Sequence, residues 1–579
     1  MATIRSKSGV KAVVSGSVFL AAVSFCTAAF ASDGLVSSGQ GQMMQIIQQK
    51  DQVTIPKEKK ELPPIKIETE KPAKAQVQGS KTVLVKRFDI QGNTLLKPEV
   101  LKAVVAPVEG KELSMEDIKN VAELITAQYR EAGYLIANAY VPTQSVVDGV
   151  VIIFVVEGKL GDISVTGNKS YSTPFIKRYL NTARNDVSLR DDTLERALLL
   201  LGDYPSLSVK AALKSGKKEG TTDLLVDVAD KFPISGSLSF DNFGEKTTSK
   251  TRLVGTLDLG NLLFSGDMLM LRGLMGLDRI DVNRLSYGRA EYMVPVGGYG
   301  TQIGMYYANS LYKAGEELAE LELNGKATVC GIYATHPFIK KRDEALNVRL
   351  GGEYIDSDIN MFGGKWTTDK IRTAILNVSY TMTDRYLGRN FIGFGYSRGL
   401  GSILNGTHDD DPNASRIDSD NNFNKFTLDA MRIQKLPGYN YFILRAAGQY
   451  SSDRLFVAEQ FLLGGEGTVR GFSPAQISGD SGYSVSGELV TSPLFPEKTI
   501  FKQKVGDTIK FALFADYGGV YINNADSSEK HFDSLTSVGA GVRLFAGKYF
   551  SAKLDWAQPV SGHIAVNRSY IYVQAGLSF

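Results

Sequence analysis

A serine between Asp480 and Gly482, in the run Gly479-Asp480-Ser481-Gly482, could serve as a nucleophile only with a base in hydrogen-bond reach. The next residue is Tyr483, and the four histidines (His336, His408, His531, His563) stand in unrelated strands and loops, so no base is offered. The same scattering, with only Cys26 and Cys330 as thiols, leaves no metal-ligating cluster. Residues 405–424 are rich in Asp and Asn but lack the ordered spacing and terminal Glu of a calcium loop, and are read as an exposed loop. Gly465-x-Gly467 has no third glycine at dinucleotide-fold spacing and precedes no helix. No enzyme, cofactor or metal site is therefore expected. What remains is electrostatic. Arg470 sits in a glycine-rich stretch, Gly464-Gly465-Glu466-Gly467-Thr468-Val469-Arg470-Gly471-Phe472, which breaks the alternation on either side and must be a loop. Downstream, Phe514-Ala515-Asp516-Tyr517-Gly518 lies in a strand whose odd positions Ile509, Phe511, Leu513 and Ala515 are apolar. Strand parity turns Asp516 to the other face, with Lys510 and Ala512. A guanidinium on a loop and a carboxylate on that face are natural partners.

The elements that position this pair come from a chain of 579 residues, too long for one core. Arg5, Lys7 and Lys11, an apolar run from 13 to 25, and Ala29-Phe30-Ala31 before Ser32 have the form of a secretory signal peptide over 1–31. Its removal takes away three positive charges and no negative ones, so the formal net charge of +3 becomes balanced and nothing favours nucleic acid. One cysteine then remains, which excludes an internal disulfide. Residues 32–52 include Met43, Ile46 and Ile47 at helical spacing, a short amphipathic helix, and 53–82 is a Lys/Glu-rich linker with Pro56, Pro63, Pro64 and Pro72.

An internal repeat follows, as 83–158 and 159–231. Phe88-Asp89-Ile90-Gln91-Gly92-Asn93 matches Ile163-Ser164-Val165-Thr166-Gly167-Asn168, and Ser114-x-x-Asp117 matches Ser188-x-x-Asp191 as a capped helix start. The first helix would bury Ile118, Val121, Ile125 and Tyr129, the second Leu194, Leu198 and Leu201. Paired strands at 137–141 with 150–156, and at 207–213 with 222–228, complete two small α+β units.

From 232 to 579 the pattern becomes alternation without helices. Outward sets such as Leu269/Leu271/Met275 and Leu554/Trp556 oppose Asp258, Arg272, Arg445, Arg543, Lys553 and Asp555. No apolar run is long enough for a membrane-spanning helix, so a membrane location requires a closed barrel. At roughly 22 residues per strand and connection, the segment holds about 16 antiparallel strands. A barrel of that size has an aqueous lumen unless something fills it.

The glycine-rich VRGF loop, the Gly479–Gly482 run, Glu488 and the Phe514-x-Asp516-x-Gly518 strand together resemble the signature of the two-partner secretion transporters. These are the haemolysin secretion/activation proteins, relatives of the filamentous haemagglutinin transporter within the superfamily of the barrel-assembly insertase. The repeat resembles the POTRA (polypeptide-transport-associated) domain, and the terminal strand ending in Phe579 resembles the C-terminal signal of Gram-negative outer-membrane barrels. The resemblance implies an all-β transmembrane barrel preceded by two periplasmic POTRA-like domains and a plug helix at 32–52 inside the barrel. It further implies a loop folded into the lumen, with Val469, Arg470, Gly471 and Phe472 at its tip and Phe514, Asp516 and Gly518 as its wall partners. The pair Arg470–Asp516 is expected to be partly buried and supported by Phe472.

The function implied is a monomeric pore in outer-membrane lipid that exports one large unfolded secreted partner, adhesin or haemolysin-like, recognised by the POTRA-like domains, with no cofactor. A barrel insertase is the alternative, although two modules are few for one; a passive porin would have no use for the modules. Without a nucleotide motif, export would draw on cargo folding outside the cell.

Overall fold

The computed structural model describes residues 66–67, 82–184, 188–218, 220–278, 284–408, 411–500, 503–525, 527, 529–562 and 568–579. The signal peptide at 1–31, and Met43, Ile46 and Ile47 of the plug, lie outside them.

The two units repeat each other down to single atoms. Gly92 and Gly167 both adopt φ of +84°, and a Cβ on either would stand 2.3 Å from a backbone carbonyl of the unit's last strand, Val155 or Val228. Only glycine fits there. The next residue ties the turn in both copies: Asn93 Nδ2 donates to Leu96 O at 2.9 Å and Asn168 Nδ2 to Tyr171 O at 2.8 Å. A carboxylate then caps each turn. Glu157 accepts from Thr94 N and Leu95 N, and Asp230 accepts from Lys169, Ser170 and Tyr171 N. Burial pushes the Glu157 carboxyl up, but its bonds from Thr94, Leu95 and Tyr129 hold it below its usual value.

The helices bury the expected faces: Ile118, Val121, Ile125 and Tyr129 on Met115–Glu131, and Leu194, Leu198 and Leu201 on Asp191–Gly202. One helix start differs. Ser114 forms a full capping box with Asp117, whereas Ser188 caps nothing. Its hydroxyl donates to Glu157 O across the boundary between the units, and the second helix begins later, at Asp191 after Arg190. A tertiary contact has overridden a local pattern.

The sheet orders correspond too, with one addition. In the first unit Val150–Val156 lies between Arg87–Gln91 and Asn138–Tyr140. In the second, Thr221–Asp230 lies between Lys159–Thr166 and Leu207–Ser215. The backbone of Lys66–Ile67, from the linker, then adds a parallel strand on the outer edge of Leu207–Ser215.

Sixteen antiparallel strands, from Ile234–Asp241 to Tyr570–Ser578, close into one barrel. Every neighbour follows in sequence, so each connection is a hairpin or a loop. The closing seam joins Ser237–Asp241 to Ser578–Gln574 and is extended by Asn242, whose side-chain amide bonds Ile571 O and Val573 N. Leu513, Ile571 and Leu577 point outward and are exposed, as lipid-facing positions must be. The second unit docks on the turns at the end where the barrel begins. Arg196 donates to Tyr299 O, Pro337 O and Phe338 O, and Asn261 donates to Ser170 O.

The lumen is not simply aqueous. Loops 314–323, 400–423 and 451–480 fold inward and bury Leu318, Leu323, Phe423, Leu455, Phe456 and Leu462 against Tyr312, Val329, Ile355 and Ile371 of the wall. Residues 405–424 are therefore not a freely exposed loop. Ser415, Asn421 and Phe423 are fully buried, because the loop's polar groups find partners inside the barrel: Ser415 N bonds Asp369, and Asn421 bonds Arg372 and Gly401.

Candidate functional site

Loop 451–480 leaves the wall, forms a short ribbon from Phe461–Leu463 and Ile477–Gly479, and turns back at the glycine-rich stretch. Gly464 and Thr468 close a small ring, Gly464 N donating to Thr468 Oγ1 at 2.8 Å and Thr468 Oγ1 to Gly464 O at 3.0 Å. Gly471 holds φ of +92°, a conformation that any side chain would strain, and a Cβ there would stand 3.2 Å from Pro559 Cδ. This turn aims Arg470 at the inner wall.

There the guanidinium meets Asp516 as a fork, Nε to Oδ2 at 2.7 Å and Nη2 to Oδ1 at 2.8 Å. The backbone N–H of Arg470 adds a third bond to Oδ2 at 3.1 Å. Nη1 reaches Glu488 at 3.0 Å, and the guanidinium stacks on the Phe514 ring, 3.4 Å from its centroid. Ser486, directly opposite Asp516 across the strands, donates to Oδ1 at 2.7 Å.

The sequence suggested one partly buried pair. The structure has a buried network, with Arg470 4 % exposed and Asp516 1 % exposed. Arg543 bridges Glu488 at 3.0 Å and Asp555 at 3.1 Å, and Lys553 joins Asp555 at 3.2 Å and also pairs with Glu466 of the loop. Three cations and four carboxylates thus share the cost of desolvation that a single pair would have to bear alone.

The remaining motif residues fall around this network. Val469 and Phe472 pack with Leu463, Val520 and Leu535. Gly518 leaves room for the loop, since a Cβ there would stand 2.6 Å from Leu463 Cδ1. Tyr572, on the terminal strand, accepts from Gly471 N at 2.9 Å and donates to Phe472 O at 3.1 Å, holding the tip from the opposite side. Parity alone had put Arg543, Lys553 and Asp555 on the lumen face; nothing local showed that they converge with Glu488 and Tyr572 around one loop tip. This arrangement ties the loop tip to the barrel wall.

Among the described residues, no group of histidine, cysteine and carboxylate side chains is arranged to hold a metal ion. Ser481 is hydrogen-bonded to Ser451 through both its donor and acceptor roles.

The profile of the haemolysin secretion/activation protein family ShlB/FhaC/HecB matches residues 220–544, and that of the ShlB-type POTRA domain matches residues 83–158. The heme/hemopexin transporter protein HuxB of Haemophilus influenzae strain 86-028NP is 28% identical over 464 residues, 79% of each chain. The outer membrane transporter CdiB of Escherichia coli O6:K15:H31 is 24% identical over 503 residues, 82% of this chain and 80% of that one. In fold, the solved structure of CdiB from Escherichia coli superposes with a TM-score of 0.68 at 22% identity, covering 88% of this chain and 93% of its own.

Proposed function

This chain belongs to the haemolysin secretion/activation protein family, an outer-membrane translocator of a secreted partner with its POTRA domains in the periplasm, and from that premise we propose how its parts divide the work. Family members are transporters, and no reaction is assigned to this chain. The cargo is one large exoprotein, adhesin or haemolysin-like, that arrives unfolded. The pore works as a monomer in outer-membrane lipid, needs no cofactor or nucleic acid, and takes its driving force from cargo folding outside.

Recognition falls to the free sheet edge of the first POTRA unit. The observation that supports this is the difference between the two units. The edge strand of the second, Leu207–Ser215, already carries Lys66–Ile67, whereas its counterpart Asn138–Tyr140 has no strand beyond it among the described residues. Beside that edge Tyr140 and Phe154 stack in solvent with ring centroids 6.3 Å apart, an apolar platform for alternate side chains of an added strand. The network around Arg470 keeps loop 451–480 in a defined place along the export path, and the helix at 32–52 occupies the resting pore. Deleting 32–52 should raise single-channel conductance; unchanged conductance would place that helix elsewhere.

The test of recognition is export of the large secreted protein encoded beside this chain. Tyr140→Asp with Phe154→Ser changes only exposed side chains, and should cut export at least tenfold while the barrel stays heat-modifiable. Normal export by that variant would refute edge recognition.

A further inference from the structure

Asp480, at the root of loop 451–480, takes no part in the network at the tip, yet it is completely buried. Its carboxylate gathers three separate segments of the cell-surface end of the barrel. From loop 400–423 comes Arg416, Nη1 to Oδ1 at 2.5 Å and Nη2 to Oδ2 at 3.4 Å. From the entering arm of its own loop comes Leu455 N, to Oδ1 at 2.9 Å. From loop 522–531 comes Asn523 N, to Oδ2 at 2.8 Å.

Supporting contacts follow the same three segments. Arg416 Nη1 also donates to Leu455 O at 2.8 Å, and Asn523 Nδ2 to Ser451 O at 2.9 Å and Asp453 O at 3.0 Å. Glu529 of loop 522–531 bridges Arg416 at 3.5 Å and Arg454 at 3.0 Å. Two cations and two carboxylates balance, with Asp480 fully buried and Arg416 nearly so. Such a carboxylate cannot lose one partner cheaply, because the remaining donors and charge stay buried.

We propose that Asp480 is the latch of the outer mouth, a positioning residue that holds loops 400–423, 451–480 and 522–531 together in the resting pore. Cargo leaves by parting this contact while the tip of loop 451–480 stays fixed to the wall. Three loops that fold inward to one carboxylate cross the exit, and the cargo needs that space. The wall strands hold the tip by side chains on four strands; the latch joins loops to loops and can open without disturbing the barrel.

The proposal rests on the reading of this chain as a pore, and the experiment separates the two. Full-length protein in planar bilayers in KCl is compared with Asp480→Asn, Arg416→Gln and the double variant. Each single variant should raise the frequency of large openings at least tenfold, and the double variant should add little, since both remove one contact. Arg416→Lys should fall between wild type and Arg416→Gln, a graded response that general loosening of the fold would not give. A channel that conducts with wild-type opening frequency in both single variants overturns the latch alone. Absence of conductance from every form, wild type included, overturns the pore reading and the latch with it. If Asp480→Asn fails to insert, cysteines at the exposed positions Asp418 and Asn524, in a Cys330→Ser background, are joined by a cleavable thiol cross-linker. Openings should then fall at least tenfold and recover on cleavage; no change overturns the latch.

Discussion

Loop 451–480 is held by an arginine–aspartate pair at each end, and the two pairs are built differently. At the tip, Arg470 belongs to the loop, and its acceptors Asp516 and Glu488 belong to the wall. At the root, Asp480 belongs to the end of the loop, and its donors are Arg416 and Asn523 of two other loops and Leu455 N of its own entering arm. The tip lies five strand positions below the root, since Ser481 pairs with Tyr521 and Ser486 with Asp516. That is about 16 Å along the strand. A charge fixed to hairpins of a closed barrel cannot move without unpairing strands. A charge fixed to loops can. The difference teaches that one loop can be anchored and gated at once, provided the two contacts have different backing.

If this is right, tip and root variants should have opposite phenotypes. The largest effect belongs to Arg470→Ala and Asp516→Ala. Each leaves a charge buried without its main partner, a loss of roughly 3–5 kcal/mol. Export should fall to background while the barrel still inserts and remains heat-modifiable, as read by secreted protein in the medium and gel mobility. Root variants should instead open the mouth and leave export standing. Normal export by both tip variants would break the comparison.

Arg470→Lys sharpens it. Arg470 uses Nε, both Nη groups and its planar face at once, on Asp516, Glu488, Ser486 and Phe514. An ammonium on a flexible stem matches at most one of these. Export by Arg470→Lys should lie much nearer to Arg470→Ala than to wild type; near-normal export would mean that charge alone holds the tip. Gly471→Ala comes next. Its φ of +92° costs a residue with a Cβ about 1–2 kcal/mol, so export should drop several-fold without being lost.

Much of this architecture could be read from the chain. Alternation over 232–579 gave a barrel of about 16 strands, and the Gly-Asn turns at 92–93 and 167–168 marked the repeat, because both signals are local and each position reports its own environment. Strand parity alone also turned Asp516 and Arg543 to the lumen. What could not be read was convergence. Glu488 and Asp555 reach Arg470, Arg543 braces both carboxylates and Tyr572 holds the backbone beside them only because a closed barrel brings four consecutive hairpin strands and the last strand around the loop tip. Residues 405–424 misled for a related reason: Asp and Asn in a row suggest solvent, but buried carboxylates and backbone groups satisfy polar side chains equally well. Ser188 misled because its pattern copies Ser114 while its hydroxyl serves the contact between units.

The smallest expected effect tests how far the tip network shares its load. Ser486 donates to Asp516 Oδ1 at 2.7 Å and accepts from Arg470 Nη2 at 3.2 Å, so it touches both members of the pair. If the pair stood alone, removing this hydroxyl would leave the tip noticeably weaker. Asp516 keeps both bonds from the guanidinium and the bond from Arg470 N, and the network adds Glu488, which still holds Nη1 and is itself braced by Arg543. Neither partner is stranded, so Ser486→Ala should cost only about 1 kcal/mol, the net worth of one ordinary hydrogen bond. Export should stay within about twofold of wild type, since a tip that can lose 3–5 kcal/mol only on stranding a charge is little displaced by that amount. The same change in an Arg543→Gln background should cost more than the two changes apart, because Glu488 and Asp555 then lose their bridge and Asp516 must hold the guanidinium with less help. Strict additivity of the two would show that Arg543 and Ser486 act on separate sites, and that the tip is held by its one pair after all.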